Sequence, residues 1–242
     1  MSHRESCVVS SLFAGLFKGR QDGLPGPVKA HLTLKKRLDL RRPVQNADFV
    51  AFDTELTGLD FKKDSIISIG AVKLKGSRIF PGRSFATLVR PESPLQGKSV
   101  VVHEITHADL TGAAALEDAL VDFIAFIGDA VLIGHFVFID LNFINRAMKR
   151  LFGFKLQNPA LDTSTLHDWL YENDSAFAKH HKGMTLKQDL YSLAQKYGIT
   201  VEAAHDAQYD AYLTAQLFQR FLHFLPGCGI QATEELLMIG KS

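Results

Sequence analysis

Three observations along the chain predict an α/β fold with a mixed β-sheet, its first three strands antiparallel and its helices packed on both faces. Residues 49–55, 65–74 and 77–89 are apolar runs of strand length, the last two joined by the turn Lys75-Gly76-Ser77. Apolar residues then recur at helical spacing over 114–127, 141–152, 186–197 and 206–224. One short buried run, 130–134, falls between the first two of those helices. Strands first, then helices alternating with one or two further strands, make a mixed sheet with helices laid on it.

The first strand carries the chemistry. Phe-Val-Ala-Phe-Asp-Thr-Glu over 49–55 has a strand interior at 49–52, and period two sends Asp53 and Glu55 to one face. Two neighbouring carboxylates resist joint ionisation unless something cationic lies between them. A core strand that ends in such a pair asks for a divalent metal. Asp140 closes Ile133-Gly134-His135-Phe136-Val137-Phe138-Ile139-Asp140, just where a helix begins, and the helix N-terminus favours its charge. Asp210 follows His205 by five residues, so a helix starting near Asp206 puts Asp210 one turn inside and leaves His205 in the preceding loop.

Composition bounds the remaining possibilities. The chain has 242 residues, 46% of them hydrophobic, which suits one sizeable core, and no apolar run reaches membrane-spanning length. Its two cysteines, Cys7 and Cys228, have no metal-ligand spacing and suit a reducing, cytoplasmic setting. The net charge of +1 gives no hint of nucleic acid, but residues 1–42 hold nine Lys/Arg against three Asp/Glu. A basic arm therefore precedes a mildly acidic body, as a solvated linker or as a partner-binding segment. Cys7 to Phe17 is apolar, yet Lys18-Gly19-Arg20 follows without a small-x-small cleavage site. Val8, Val9, Leu12, Phe13, Leu16 and Phe17 fit a short amphipathic helix instead, packed on its own domain or docked elsewhere. The expected organisation is a basic extension over 1–45, a catalytic domain over 46–225 and a tail over 226–242.

Together these residues resemble the DnaQ-like 3′–5′ exonucleases, the DEDD family of the histidine-bearing subtype that includes proofreading polymerase subunits. The family's Asp-x-Glu-Thr-Thr-Gly is met by Asp53-Thr54-Glu55-Leu56-Thr57-Gly58. Its Gly-His-Asn with a following Phe-Asp is met by Gly134-His135-Phe136 and Asp140, and its His-x-Ala-x-x-Asp by His205, Ala207 and Asp210. Val102-His103-Glu104-Ile105-Thr106 is similar to a further Val-His-Gly-Ile-Thr segment, and Asp162-Thr163 to the Asp-Thr that opens a later helix as its N-cap. The resemblance spans about 47–224 and implies a ribonuclease H-like sheet.

It also implies a mechanism. Two Mg²⁺ or Mn²⁺ ions roughly 4 Å apart would activate a water and stabilise the leaving 3′ oxygen. Asp53 would bridge both ions, Glu55 and Asp210 would complete the water-bearing site, and Asp140 would support the second ion. His205 is the candidate general base; taken alone it would read as a loop histidine capping the next helix. Thr57, Gly58 and Leu59 would underlie the terminal nucleotide, with His103 and Ile105 clamping it from the other side. Phe136 and Phe138 are either core residues or base-stacking platforms. Leu56 and Phe136 depart from the family's Thr and Asn, which bears on substrate preference rather than on the reaction.

DNA 3′ ends are the expected substrate, ahead of RNA or short oligonucleotides, with a polymerase as candidate partner; the oligomeric state is not legible. A non-catalytic binding module would not need all five of these polar residues. His103-Glu104-Ile105-Thr106-His107 matches the zinc-protease signature His-Glu-x-x-His. That signature needs a helix, whereas the preceding residues 99–102 are β-rich, and no well-spaced third ligand follows. It is set aside.

Overall fold

The computed structural model describes residues 23–92, 105–106, 108–179, 188–202 and 205–241. The expected helix over 8–17, His103 and the His103/Glu104/His107 set lie outside the described residues. A short helix α1 (Gly26–His31) and two 3₁₀ turns lead into the first strand. Strands β1 (Asp48–Leu56), β2 (Ile66–Lys75) and β3 (Arg78–Leu88) follow as an antiparallel meander. Next come α2 (Leu116–Ile127), β4 (Val131–Gly134), α3 (Phe138–Phe152), β5 (Ala160–Asp162), α4 (Thr163–Asn173) and α5 (Ser175–Lys179). The chain closes with α6 (Leu190–Lys196), α7 (Ala207–Leu222) and α8 (Thr233–Gly240).

The sheet order is β3-β2-β1-β4-β5, with β4 parallel to β1 and β5 parallel to β4. This is the mixed sheet expected from sequence, with its first three strands antiparallel. Alternation along β1 divides the core in two. Phe49 and Ala51 belong to one cluster with Val72, Leu74 and Ile133, under α4 to α8. Val50 and Phe52 belong to the other, under α1, α2 and α3. Helices thus cover both faces, and each buried Phe or Leu side chain removes enough apolar surface to contribute about 1.5–3 kcal/mol.

Several boundaries differ from the sequence expectation. Helix α3 begins at Phe138, not 141, so Asp140 lies in its first turn. Of the expected helix 186–197, described from 188 on, Leu190–Lys196 is helical, capped by the Asp189 side chain accepting from the Ser192 N–H. Strand β5 has only three residues, too few to register as a period. Asp162 is the N-cap of α4, as the Asp-Thr pair implies. Within the segments expected as extension and tail, Val28 of α1 is fully buried under α2, and Pro43 bridges to Ala232 at the start of α8. Among the described residues no helix is long and apolar enough to cross a membrane.

Candidate active site

Where β1 runs past its pairing with β4, Asp53 and Glu55 project toward α7. Gly70 lies beside Asp53 in the β1–β2 ladder, and a Cβ there would meet the Ala207 and Gln208 backbone at 2.2 Å. Only glycine lets the N-terminus of α7 sit this close to the sheet. That approach brings in Asp210, one turn inside α7, and His205, in the loop before its N-cap Asp206. Ligand atoms of Glu55, His205 and Asp210 all lie within 4.8 Å of one another.

Asp140 arrives from the opposite face. Its Oδ1 accepts the Thr54 backbone N–H at 2.9 Å and the Thr54 hydroxyl at 2.6 Å. Because Thr54 points away from Asp53 and Glu55, one strand grips Asp140 with its even residue while displaying two acids with its odd ones. The turn before α3 is held by Asp162, whose two oxygens accept the N–H groups of Phe136 at 3.1 Å and Val137 at 2.9 Å. The same carboxylate caps α4 through Ser164. His135 packs beneath, its ring nitrogens 2.8 Å from the Thr163 hydroxyl and 2.6 Å from the Gln188 carbonyl. Burial lowers its pKa and keeps the ring neutral.

The electrostatics are those of crowded acids. Burial, then the neighbouring Asp140, Glu55 and Asp210, push Asp53 well above the usual carboxylate range. Glu55 rises to about 8 by burial and by repulsion from Asp210 and Asp140. Burial lifts Asp140 to about 7 against the opposing Thr54 hydrogen bonds, and lifts Asp210 to about 6 against a hydrogen bond from Tyr191. Among the described residues no Lys or Arg lines the cavity these acids share, which measures about 710 Å³. The Oδ1 of Asp210 is buried with no hydrogen-bond partner among the described residues. An unbonded oxygen within a cluster of hard carboxylates fits a divalent cation bound through oxygen.

Most of the expected substrate residues line the same cavity, among them Thr57, Gly58, Leu59 and Phe136. Leu59 is 68% exposed at the rim. Thr57 is buried, and its backbone N–H donates to Ser65 O at 2.9 Å, so it organises the loop rather than offering that donor to a nucleotide. Gly58 lies against Asp64, where a Cβ would come within 2.5 Å of Oδ2. Phe138 is half exposed on α3 outside the cavity lining, and Ile105 packs on the small cluster of Ile67, Leu110 and Ala113. Ile139, Asp189, Leu190 and Tyr191 also line the cavity and are not expected from sequence. Thr54, which lines the cavity and holds Asp140, and Asp162, which holds the turn before α3, are likewise not among the site residues the sequence points to; the x of the first motif and the Asp-Thr pair are the available signals.

Comparison with known proteins fits this geometry. The family model described as exonuclease matches residues 50–218, which include all four acids and His205. The chain is 34% identical over 190 residues to the DNA polymerase III subunit epsilon of Aquifex aeolicus, covering 78% of this chain and 88% of that one. It is 34% identical over 196 residues to the PolC-type DNA polymerase III of Bacillus subtilis, covering 81% of this chain but only 13% of that much longer protein. Similar folds include exonuclease X in complex with 5′ overhanging duplex DNA (TM-score 0.57, 21% identity, 79% of this chain and 98% of that one). E. coli exonuclease I in complex with a dT13 oligonucleotide is another (TM-score 0.63, 16% identity, 75% of this chain and 42% of that one). A sheet that gathers the family's acids and histidine around one cavity, with a family match over most of its length, assigns the protein: the chain belongs to the exonuclease family.

Proposed function

We propose that the chain is a metal-dependent 3′–5′ exonuclease that releases nucleoside 5′-monophosphates from the 3′ ends of single-stranded or frayed DNA. In this reading Asp53, Glu55, Asp140 and Asp210 hold two Mg²⁺ or Mn²⁺ ions. The observation that carries it is the convergence of acids from β1, α3 and α7 on one open cavity, with a buried Asp210 oxygen that has no hydrogen-bond partner among the described residues. DNA as the polymer and a polymerase as the partner class are supported by the identity with the epsilon subunit of DNA polymerase III, and a cytoplasmic location by the two cysteines without disulfide or metal-ligand spacing. The direction of attack rests on the resemblance carried by the three motifs.

When bound, the ions would supply a water of lowered pKa and offset charge on the leaving 3′ oxygen. The rest falls to the chain's own residues. The carboxylates trade mutual repulsion for hard oxygen ligation. His205, beside Asp210, takes the proton that the attacking water loses as the P–O3′ bond breaks. Leu56, Leu59, Phe136, Ile139 and Leu190 give the terminal base and sugar an apolar wall, suited to an unpaired strand whose bases are free to stack.

The test is degradation of 5′-labelled single-stranded DNA, duplex DNA and RNA with Mg²⁺, Mn²⁺ or EDTA, with Asp53→Ala as control. Stepwise shortening from the 3′ end, abolished by EDTA and by the substitution, is expected. Activity that survives either, or internal fragments without a ladder, would overturn the proposal, and preference for RNA would change the substrate.

A further inference from the structure

One hydroxyl in the cavity wall makes three contacts at once. The Oη of Tyr191, on α6, lies 2.5 Å from Asp210 Oδ2, 2.8 Å from the backbone nitrogen of His205 and 3.1 Å from His205 Nδ1. A phenol has one proton to give and two lone pairs to receive with. The shortest contact, at 2.5 Å, is the hydroxyl donating to Asp210 Oδ2, so the Tyr191 proton is spent there. The His205 backbone N–H donates into one lone pair. The remaining contact is satisfied only if Nδ1 carries a hydrogen and donates it to Oη. A neutral imidazole protonated on Nδ1 has its free lone pair on Nε2.

The backbone belongs to the same arrangement. His205 has φ of 62°, the left-handed region that non-glycine residues seldom occupy. Its N–H is shared between Tyr191 Oη and Asp210 Oδ2, the latter at 3.2 Å. The Tyr191 ring stands edge-on to the imidazole, with centroids 5.1 Å apart and planes at 84°. Asp210 meanwhile keeps Oδ2 turned to the hydroxyl, while Oδ1 is the atom with no partner among the described residues. One hydroxyl therefore touches the histidine ring, the loop backbone at its strained residue and the acid together.

We propose that Tyr191 is a positioning residue of this site, holding His205 as the Nδ1–H tautomer with Nε2 as the basic atom and turning Asp210 Oδ1 toward the cavity. It rests on the exonuclease function proposed above but makes one statement independent of it, the location of a proton in the resting protein. A group that orients a reacting histidine from outside typically changes activity by about 10–100-fold on removal. Tyr191→Phe keeps the ring and removes only the hydroxyl.

The experiment pairs kinetics with nitrogen-15 NMR of the histidine rings, the His205 signals being identified by their loss in His205→Gln. In the wild-type protein the neutral His205 should show a protonated Nδ1 and an unprotonated Nε2. In Tyr191→Phe that preference should be lost. The kcat on 5′-labelled oligodeoxythymidylate with Mn²⁺ should fall about 10–100-fold, with KM changed less than about twofold. A wild-type His205 protonated on Nε2 overturns the assignment, even if Tyr191→Phe fails to fold. So does a folded Tyr191→Phe protein with unchanged kcat. If the wild type shows no EDTA-sensitive nuclease activity, it is the exonuclease function that fails, and the tautomer measurement still decides the role of Tyr191.

Discussion

Gly70 stands opposite Asp53 in the β1–β2 ladder, and its missing side chain is the space through which α7 reaches the sheet. An alanine there would drive a methyl group into the Ala207–Gln208 backbone. Helix α7 would have to lift, carrying Asp210 away from Glu55. Overpacking of this kind costs about 1–3 kcal/mol. Because a shift of about 1 Å at a reacting site can cost about 10²-fold, Gly70→Ala should lose far more activity than stability. Urea unfolding and oligonucleotide degradation on the same preparation measure both.

The crowded acids give the metal-free protein an unusual pH dependence. Glu55 rises from 4.5 to about 8, Asp140 from 3.8 to about 7, and Asp210 from 3.8 to about 6. A raised folded-state pKa means that the folded form binds protons the unfolded chain has released. Its stabilising share is present below the unfolded value and is lost as pH rises through the folded one. In EDTA, the melting temperature should therefore fall between pH about 4.5 and pH about 8. Added Mn²⁺ should reverse the fall, most strongly at the upper end, where cations compete with the fewest protons. Thermal melts across that range with and without Mn²⁺ check it, and a flat profile in EDTA would contradict the crowding.

Asp162 joins the turn before α3 to the start of α4. Removing its carboxylate in Asp162→Ala strips acceptors from Phe136, Val137 and Ser164 together. The expected loss is about 2–3 kcal/mol, since these bonds end on a charged acceptor in a buried place. Activity should fall about 10–100-fold although Asp162 lies outside the metal-ligand set, because Asp140 depends on the helix that this turn begins. Chemical denaturation and metal-dependent turnover report the two effects separately.

Phe136 has φ of 53°, an unfavourable backbone for a bulky residue and a tolerable one for asparagine. Phe136→Asn should raise stability by about 1 kcal/mol by relieving part of that strain. If the ring stacks on a base, the same change should raise KM for single-stranded DNA about tenfold or more, stacking being worth about 1–3 kcal/mol per base. A higher melting temperature with unchanged KM would remove Phe136 from the substrate surface.

What was legible in the sequence follows from how local each signal is. Asp53 and Glu55 declare themselves because strand alternation is a property of adjacent residues, and Asp210 because a helix start places it. Helix α3 begins three residues before the expected 141 because the turn leading into it is held by Asp162, from another element, and its N-cap Val137 offers no side-chain cap to mark the start. Tyr191 escaped notice for a similar reason. On a short amphipathic helix an aromatic reads as core, and its partners lie 14 and 19 residues away, joined to it only by the fold. Strand β5, at three residues, is defined by the ladder it completes rather than by any pattern of its own.

The division of labour along β1 also limits how this protein can vary. Asp53 and Glu55 serve one side of the sheet while Thr54, between them, serves the other through Asp140. Substitution within 49–52 need only preserve apolar bulk. Losing or gaining a single residue there would exchange the two sides, turning Thr54 toward α7 and the acids into the α3 cluster. The strand can thus change its spelling but not its length, and insertions have to be absorbed in the loops on either side.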